Sequence, residues 1–364
     1  MFFRLILSTL VLATAHVGWR AGSVPWIRRA LPWPLRTALL AALASSYLAA
    51  RYADRAGWSS VAWVLEVVGA HWLGILLILL VPLLAADVAT GFGLFFRRHL
   101  ASIRAWAFAA GGVLVALAFV QGNRPPVVRE HEVRLAGLRA EDDGIVLVFV
   151  SDTHAGALVG ERWLRARVAQ VSALGADAIL LGGDLFEGDS EAEARLVPLV
   201  GGLSAPLGVW AVPGNHDRHD GGRRLRELEA LGVRVLRDER AELRPGLILA
   251  GLDNSWRGDG LDGRLARALA GRPADAATVL LSHAPSRPEE AARAGVGVML
   301  AGHTHDGQIW PFRYVVRTEF RYLAGRYDVA GMPLIVCRGT GTFGPRMRLW
   351  HPSEILRVTL RAAR

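Results

Sequence analysis

Residues 145–156 read IVLVFVSDTHAG. Six apolar residues, mostly β-branched, run directly into a serine, an aspartate and a histidine. A short unbroken apolar run of this kind predicts a strand buried on both faces. The carboxyl end of such a strand is where an open α/β sheet binds its ligands. Asp152 and His154 would therefore stand at a sheet rim.

The same pattern recurs four times downstream. Residues 177–189, DAILLGGDLFEGD, place Asp184 after Gly182 and Gly183. Residues 208–220, GVWAVPGNHDRHD, supply Asn215, His216 and Asp217. Residues 277–285, ATVLLSHAP, end in His283, and residues 296–307, VGVMLAGHTHDG, end in His303 and His305. Between these runs, residues 161–174, 191–203 and 223–231 are rich in Arg, Glu, Ala and Leu at helical spacing. Alternation of this kind predicts a layered α/β domain, expected over residues 141–364.

Taken singly, the polar blocks say little. Asp-x-His and Gly-Gly-Asp are also ordinary turn and cap sequences. Together they put a carboxylate, amide or imidazole at the end of five successive strands, and chance placement does not account for that. Asp, Asn and His without cysteine disfavour a structural zinc site and suit Mn, Fe or Zn in a mixed nitrogen and oxygen environment. Seven such groups are too many for one tetrahedral ion but suit two, with a carboxylate between them. Glycines beside Asp184, Asn215 and His303 allow the backbone to approach closely.

The rest of the chain is of another kind. The 364 residues are 52% hydrophobic, and the mean hydropathy is positive at +0.28. Four apolar stretches, residues 2–19, 35–50, 61–86 and 103–120, predict an N-terminal bundle of about four transmembrane helices over residues 1–122. Seven of the twelve tryptophans lie there, several near segment ends, as interfacial anchoring requires. Ala13-Thr14-Ala15 resembles a signal-peptide cleavage site, but three further apolar segments favour a retained anchor. Glu66 and His71 fall in or near the third segment. Residues 121–130, QGNRPPVVRE, read as linker, and residues 123–140 as a linker and lead-in to the domain.

The net charge of +9 has a definite location. Residues 1–140 hold 14 arginines against 5 acidic residues, whereas residues 141–364 hold 28 of each. The basic excess flanks the apolar segments, and a neutral globular part does not suggest a polyanion-coating surface. Nucleic acid is thus not an expected partner. All 42 basic residues are arginine. The single cysteine, Cys337, excludes an internal disulfide and reads as a core residue. The first hairpin carries four arginines after its helix and one before it, which points to both termini outside the cytoplasm. Oligomeric state leaves no mark in the sequence.

The five blocks resemble those of the calcineurin-like metallophosphoesterases: Asp152-Thr-His154, Gly183-Asp184, Gly214-Asn215-His216-Asp217, a lone His283, and Gly302-His303-Thr-His305, in that order. The tail CRGTGTFGPRMRLWHPSEI and the apolar N-terminal third resemble a membrane-attached bacterial branch of that family. The resemblance implies a four-layer αββα sandwich with a dinuclear site at a sheet edge. It implies that Asp152, His154, Asp184 and His305 hold one divalent metal ion, and that Asp184, Asn215, His283 and His303 hold the other. It further implies that His216 protonates the leaving oxygen, with Asp217 orienting it, as hydroxide activated by the metals attacks phosphorus. One departure is Asp306, where a glycine is more usual.

The function these expectations describe is a membrane-anchored phosphoesterase acting on phosphodiester, phosphomonoester or pyrophosphate bonds, lipid-linked substrates included. The competing class is a membrane sensor or transport-associated protein that binds metal or phosphate without turnover. Arg338, Arg346 and Arg348 follow the ligand blocks and read either as a clamp for a second phosphate group or as solvated surface arginines.

Overall fold

A computed structural model describes residues 2–156, 158–187, 191–218, 221–253 and 263–363. The chain divides into two compact units. One comprises residues 1–123 with the short segments 309–311 and 344–350, and the other comprises the remainder from residue 124 onward.

The first unit is helical. It contains α1 (Phe2–Gly22), α2 (Pro25–Ala30), α3 (Trp33–Arg55), α4 (Ser59–Ala89) and α5 (Leu100–Asn123). Within it α4 packs against α1, α3 and α5 around Trp72, Leu76 and Leu83. Gly69 makes the α3–α4 crossing possible, because a Cβ there would lie 2.6 Å from the Tyr47 backbone nitrogen. Ser59–Ala89 and Arg97–Asn123 are long and apolar enough to cross a membrane. Among the described residues these two meet that criterion, where the sequence predicted about four. α3 carries Arg, Ser, Tyr and Asp along its length, which dilutes its apolar character.

The helices also hold an ionic group that hydropathy did not reveal. Asp87, at the end of α4, is buried and accepts a hydrogen bond from Arg20 Nε at 2.7 Å. His16 Nε2 lies 3.3 Å away and Arg104 Nη2 3.9 Å away.

The second unit contains twelve strands among the described residues. They are β1 (Val127–Leu135), β2 (Val146–Val150), β3 (Ala178–Leu181), β4 (Val209–Ala211), β5 (Arg234–Val235) and β6 (Glu239–Arg244), then β7 (Leu247–Gly251), β8 (Ala277–Leu281), β9 (Val298–Ala301), β10 (Gly325–Val329), β11 (Met332–Val336) and β12 (Glu354–Ala362). They form two six-stranded mixed sheets, ordered β1-β12-β2-β3-β4-β5 and β10-β11-β9-β8-β7-β6. β2 to β5 run parallel, as do β7, β8, β9 and β11.

Side-chain alternation explains the layers. Leu147 and Phe149 of β2 join Val279 and Leu281 of β8 and Val298 and Leu300 of β9 in one core between the sheets. Val146, Val148 and Val150 point the other way, into a cluster with Leu164, Val171, Val200 and Leu228 from the helices that cover the first sheet. Leu280, Met299 and Ala301 do the same for the second sheet, against Ala268 and Ala291. Strands buried on both faces lose the polar alternation of a half-exposed sheet, hence the unbroken apolar runs. Cys337 sits fully buried in the central core, as expected.

Two boundaries differ from the sequence reading. In the segment 123–140, only residues 124–126 separate α5 from β1, which pairs in parallel with β12 over nine residues. Its largely exposed sequence VVREHEVRL lacks the apolar run that marks a central strand. The helix expected over 191–203 is broken into Glu191–Ala194 and Val197–Gly201, with Pro198 in the first turn of the second piece.

Candidate metal centre

The polar blocks meet at one end of the sandwich, but they come from both sheets. β2, β3 and β4 of one sheet and β8 and β9 of the other end in the loops that carry them. A single-sheet rim would have spread these groups along one edge. Two facing sheets instead close them around a common centre.

Three overlapping sets of ligand atoms lie within 4.8 Å of one another: Asp152, His154 and His305; His154, Asp184 and His216; Asp184, His283 and His303. His154 Nε2 is 3.1 Å from His305 Nε2, and His305 Nε2 is 3.5 Å from Asp152 Oδ1. His283 Nε2 is 3.1 Å from both His303 Nδ1 and Asn215 Oδ1, and 3.2 Å from Asp184 Oδ2. Asp184 Oδ2 is also 3.9 Å from His154 Nε2, so this one carboxylate belongs to both halves. Asp152, His154, Asp184, Asn215, His283, His303 and His305 thus come together here, with His216 beside them.

The backbone is bent to achieve it. Asp152, His154, Asp184, His303, His305 and Asp306 all have φ between 45° and 71°. Non-glycine residues rarely adopt that region, at a cost of about 1–3 kcal/mol each. Glycines make room: a Cβ on Gly214 would collide with Asp184, and one on Gly302 with Ser151 and Asp152. The Ser151 hydroxyl donates to Asp152 Oδ2, and the His303 N–H donates to the same carboxylate at 3.1 Å.

Burial decides the electrostatics. Burial raises Asp152, and the neighbouring Asp184 adds to that. Burial works against the charged form of His154 too, yet Glu187, Asp184 and Asp152 outweigh it and hold this histidine at about 9. His283 reaches about 10 in the same way, chiefly through Asp184. His303, buried beside the cationic His283, falls to about 3. Burial also lowers His216. Without metal, protons on His154 and His283 thus supply the positive charge that the carboxylates demand. A donor set that draws in cationic charge this strongly fits divalent ions, and its mixed carboxylate and imidazole chemistry fits Mn, Fe or Zn.

Asp217 requires a correction. It was expected to orient His216, but its carboxylate accepts backbone N–H groups from Asp184 at 2.8 Å, Leu185 at 3.1 Å and Gly214 at 2.8 Å. It therefore ties the β3 loop to the β4 loop, while burial and Asp184 push it up to about 6. The His216 ring faces Glu187 instead, with Nδ1 3.4 Å from its carbonyl oxygen. Glu187 escaped the sequence reading. Its Oε2 lies 2.7 Å from His154 Nδ1, the ring nitrogen turned away from His305. The only sequence signal was an acid three residues after Asp184 in DLFEG.

Asp306 proves to be an ionic hub. It is buried, and its carboxylate is met by Arg313 Nη2 at 3.2 Å, Arg338 Nε at 3.3 Å and His351 Nδ1 at 3.4 Å. Arg338 also binds Glu354 at 2.7 Å, so it is neither a solvated surface residue nor an open phosphate clamp. Arg348 is fully buried in the helical unit, with its N–H bonded to the Ala118 carbonyl.

This arrangement, a double-sheet sandwich with an Asp/His/Asn cluster at the strand ends, defines a candidate metal centre. The chain belongs to the calcineurin-like phosphoesterase family, whose pattern matches residues 145–307. A transmembrane protein with metallophosphoesterase domain from Bos taurus is 31% identical over 286 residues, 73% of this chain and 64% of that protein. Its counterpart in Danio rerio is 29% identical over 69% of this chain and 61% of its own length. An uncharacterised metallophosphoesterase of Aquifex aeolicus is 32% identical over 60% of this chain and 85% of its own. The chain spans a little under two thirds of the two animal proteins.

Proposed function

We propose that this protein is a membrane-anchored, dinuclear-metal phosphoesterase that hydrolyses phosphodiester, phosphomonoester or pyrophosphate bonds. The observation that carries the reading is the position of Asp184, whose carboxylate reaches donors of both halves of the cluster. Asp152, His154, Asp184 and His305 would hold one ion, and Asp184, Asn215, His283 and His303 the other. Such ions, when bound, lower the pKa of water and offset phosphoryl charge. Asp152 and Asp184 return only half the charge of two divalent cations, so the centre attracts an anionic phosphoryl group.

The chain's own residues do the rest. His216 stands 4.9 Å, centroid to centroid, from His154, and in this reading it gives its proton to the leaving oxygen. Burial holds it below its ordinary range, and an arriving phosphoryl anion works in the opposite direction, favouring the protonated ring. Asp217 keeps the β3 and β4 loops in register, and Glu187 fixes the His154 ring.

The apolar helices support the anchor, and the names of the two animal relatives are consistent with it. We place the protein in a bacterial cell membrane through an N-terminal bundle of about four helices, with the catalytic domain outside the cytoplasm. An anchored site lies near headgroups, which favours lipid-linked phosphoesters among its substrates. The test is turnover of aryl phosphodiesters and phosphomonoesters by the full chain with Mn²⁺, Fe²⁺ or Zn²⁺. Cleavage that Asp184→Asn abolishes supports the reading; no cleavage with any of these metals sinks it.

A further inference from the structure

Phe343 stands over the imidazoles of the centre. Its ring centroid lies 5.3 Å from His154, 5.2 Å from His216 and 6.4 Å from His305. The residue is nevertheless 49% exposed, so it offers part of its surface to whatever occupies the site. Its backbone is held at both polar groups by one side chain. The Phe343 N–H donates to Gln308 Oε1 at 2.8 Å, and its carbonyl accepts from Gln308 Nε2 at 2.9 Å.

A second aromatic residue adjoins the His283–His303 half of the cluster. Phe320 packs edge-on against His303 at 5.0 Å. The helix leading into it, Arg313–Glu319, is tied to Asp306 through Arg313 and leaves Tyr314 and Val315 more than half exposed. Metal binding and phosphoryl charge make no use of apolar side chains. Phe343, a large apolar side chain half in water beside a charged centre, is one that an apolar ligand would cover.

We propose that Phe343 is a specificity-determining residue. With Phe320 it forms an apolar subsite for the carbon group attached to the phosphoryl being attacked. The substrates are then phosphoesters of apolar or aryl alcohols, acyl- or alkyl-bearing ones included, in preference to phosphoesters of bare polar groups. Because Phe343 adjoins His216, it covers the leaving alcohol. The inference rests on the phosphoesterase reading above.

Binding of stable analogues separates the two. The Mn²⁺-loaded full chain, held in amphipol, is titrated calorimetrically with inorganic phosphate and with methyl-, propyl- and pentylphosphonate. Affinity should rise with chain length, by about 2- to 4-fold per added methylene. In Phe343→Ala that rise should flatten, weakening pentylphosphonate by about 10-fold while inorganic phosphate changes by less than about 2-fold. Phe343→Leu should keep most of the chain-length dependence. A flat series in the native chain, or an equal loss for phosphate and pentylphosphonate in Phe343→Ala, overturns the subsite and leaves the phosphoesterase reading standing. Failure of the native chain to bind any of the four probes overturns both.

Discussion

Glu187 Oε2 lies 2.7 Å from Nδ1 of His154, whose other nitrogen faces the centre. A carboxylate behind a ligating imidazole fixes the tautomer and raises the basicity of the ligand. Glu187→Gln should weaken metal binding by roughly 10- to 100-fold while leaving the fold intact. Metal titration followed by calorimetry, with circular dichroism as the control, reads both quantities. An unchanged affinity would remove Glu187 from the site.

Asp217→Ala should unfold the domain at lower temperature rather than alter the chemistry. Three buried N–H groups lose their acceptor, at about 1–3 kcal/mol each before relaxation. Asp217→Asn keeps the shape and supports partial recovery. If Asp217 acted through His216, the Asn variant would move the basic limb of the pH–rate profile. We expect that limb to stay in place.

Stability of the metal-free protein should depend on pH in a definite direction. His154 and His283 are raised to about 9 and about 10 in the folded chain, above the ordinary value of 6.5. Their protonated forms stabilise the fold fully below about pH 6.5, and that contribution disappears as pH rises through 9 and 10. Chelator-treated protein should therefore lose melting temperature between pH 6.5 and 10. Metal binding requires the same nitrogens deprotonated, so Mn²⁺ affinity should rise over that interval. Melting curves at several pH values, with and without Mn²⁺, test this; parallel curves would contradict it.

Asp306→Ala leaves Arg313, Arg338 and His351 without their shared acceptor. All three retain some access to water, so the expected cost is moderate, about 1–2 kcal/mol. Metal content should be little changed, because the contacts of Asp306 run to these three side chains. Loss of bound metal at unchanged melting temperature would instead make it a working part of the centre.

The sequence made the centre more legible than its supports. Asp152, Asp184, His283 and His303 could be found because each terminates an apolar run, and burial of both strand faces keeps that run unbroken. β1 was hidden for the converse reason, its exposed edge carrying Arg, Glu and His. Glu187, Gln308 and Phe343 act through contacts between residues distant in sequence, or on loops without period, so no local pattern announces them. Asp87 was missed because hydropathy averages over a window, and one carboxylate at a helix end barely lowers the mean. Its pairing with Arg20 is a tertiary fact.

The left-handed backbone at Asp152, His154, Asp184, His303, His305 and Asp306 has an evolutionary consequence. Five of these six are proposed ligands, and glycine or asparagine would rest there with less strain. Directed evolution scored only on heat resistance would thus be rewarded for erasing the ligands themselves. Variants recovered that way should be robust and inert. A library meant to harden this protein must be screened for turnover in every round, or its fittest members will have shed their chemistry first.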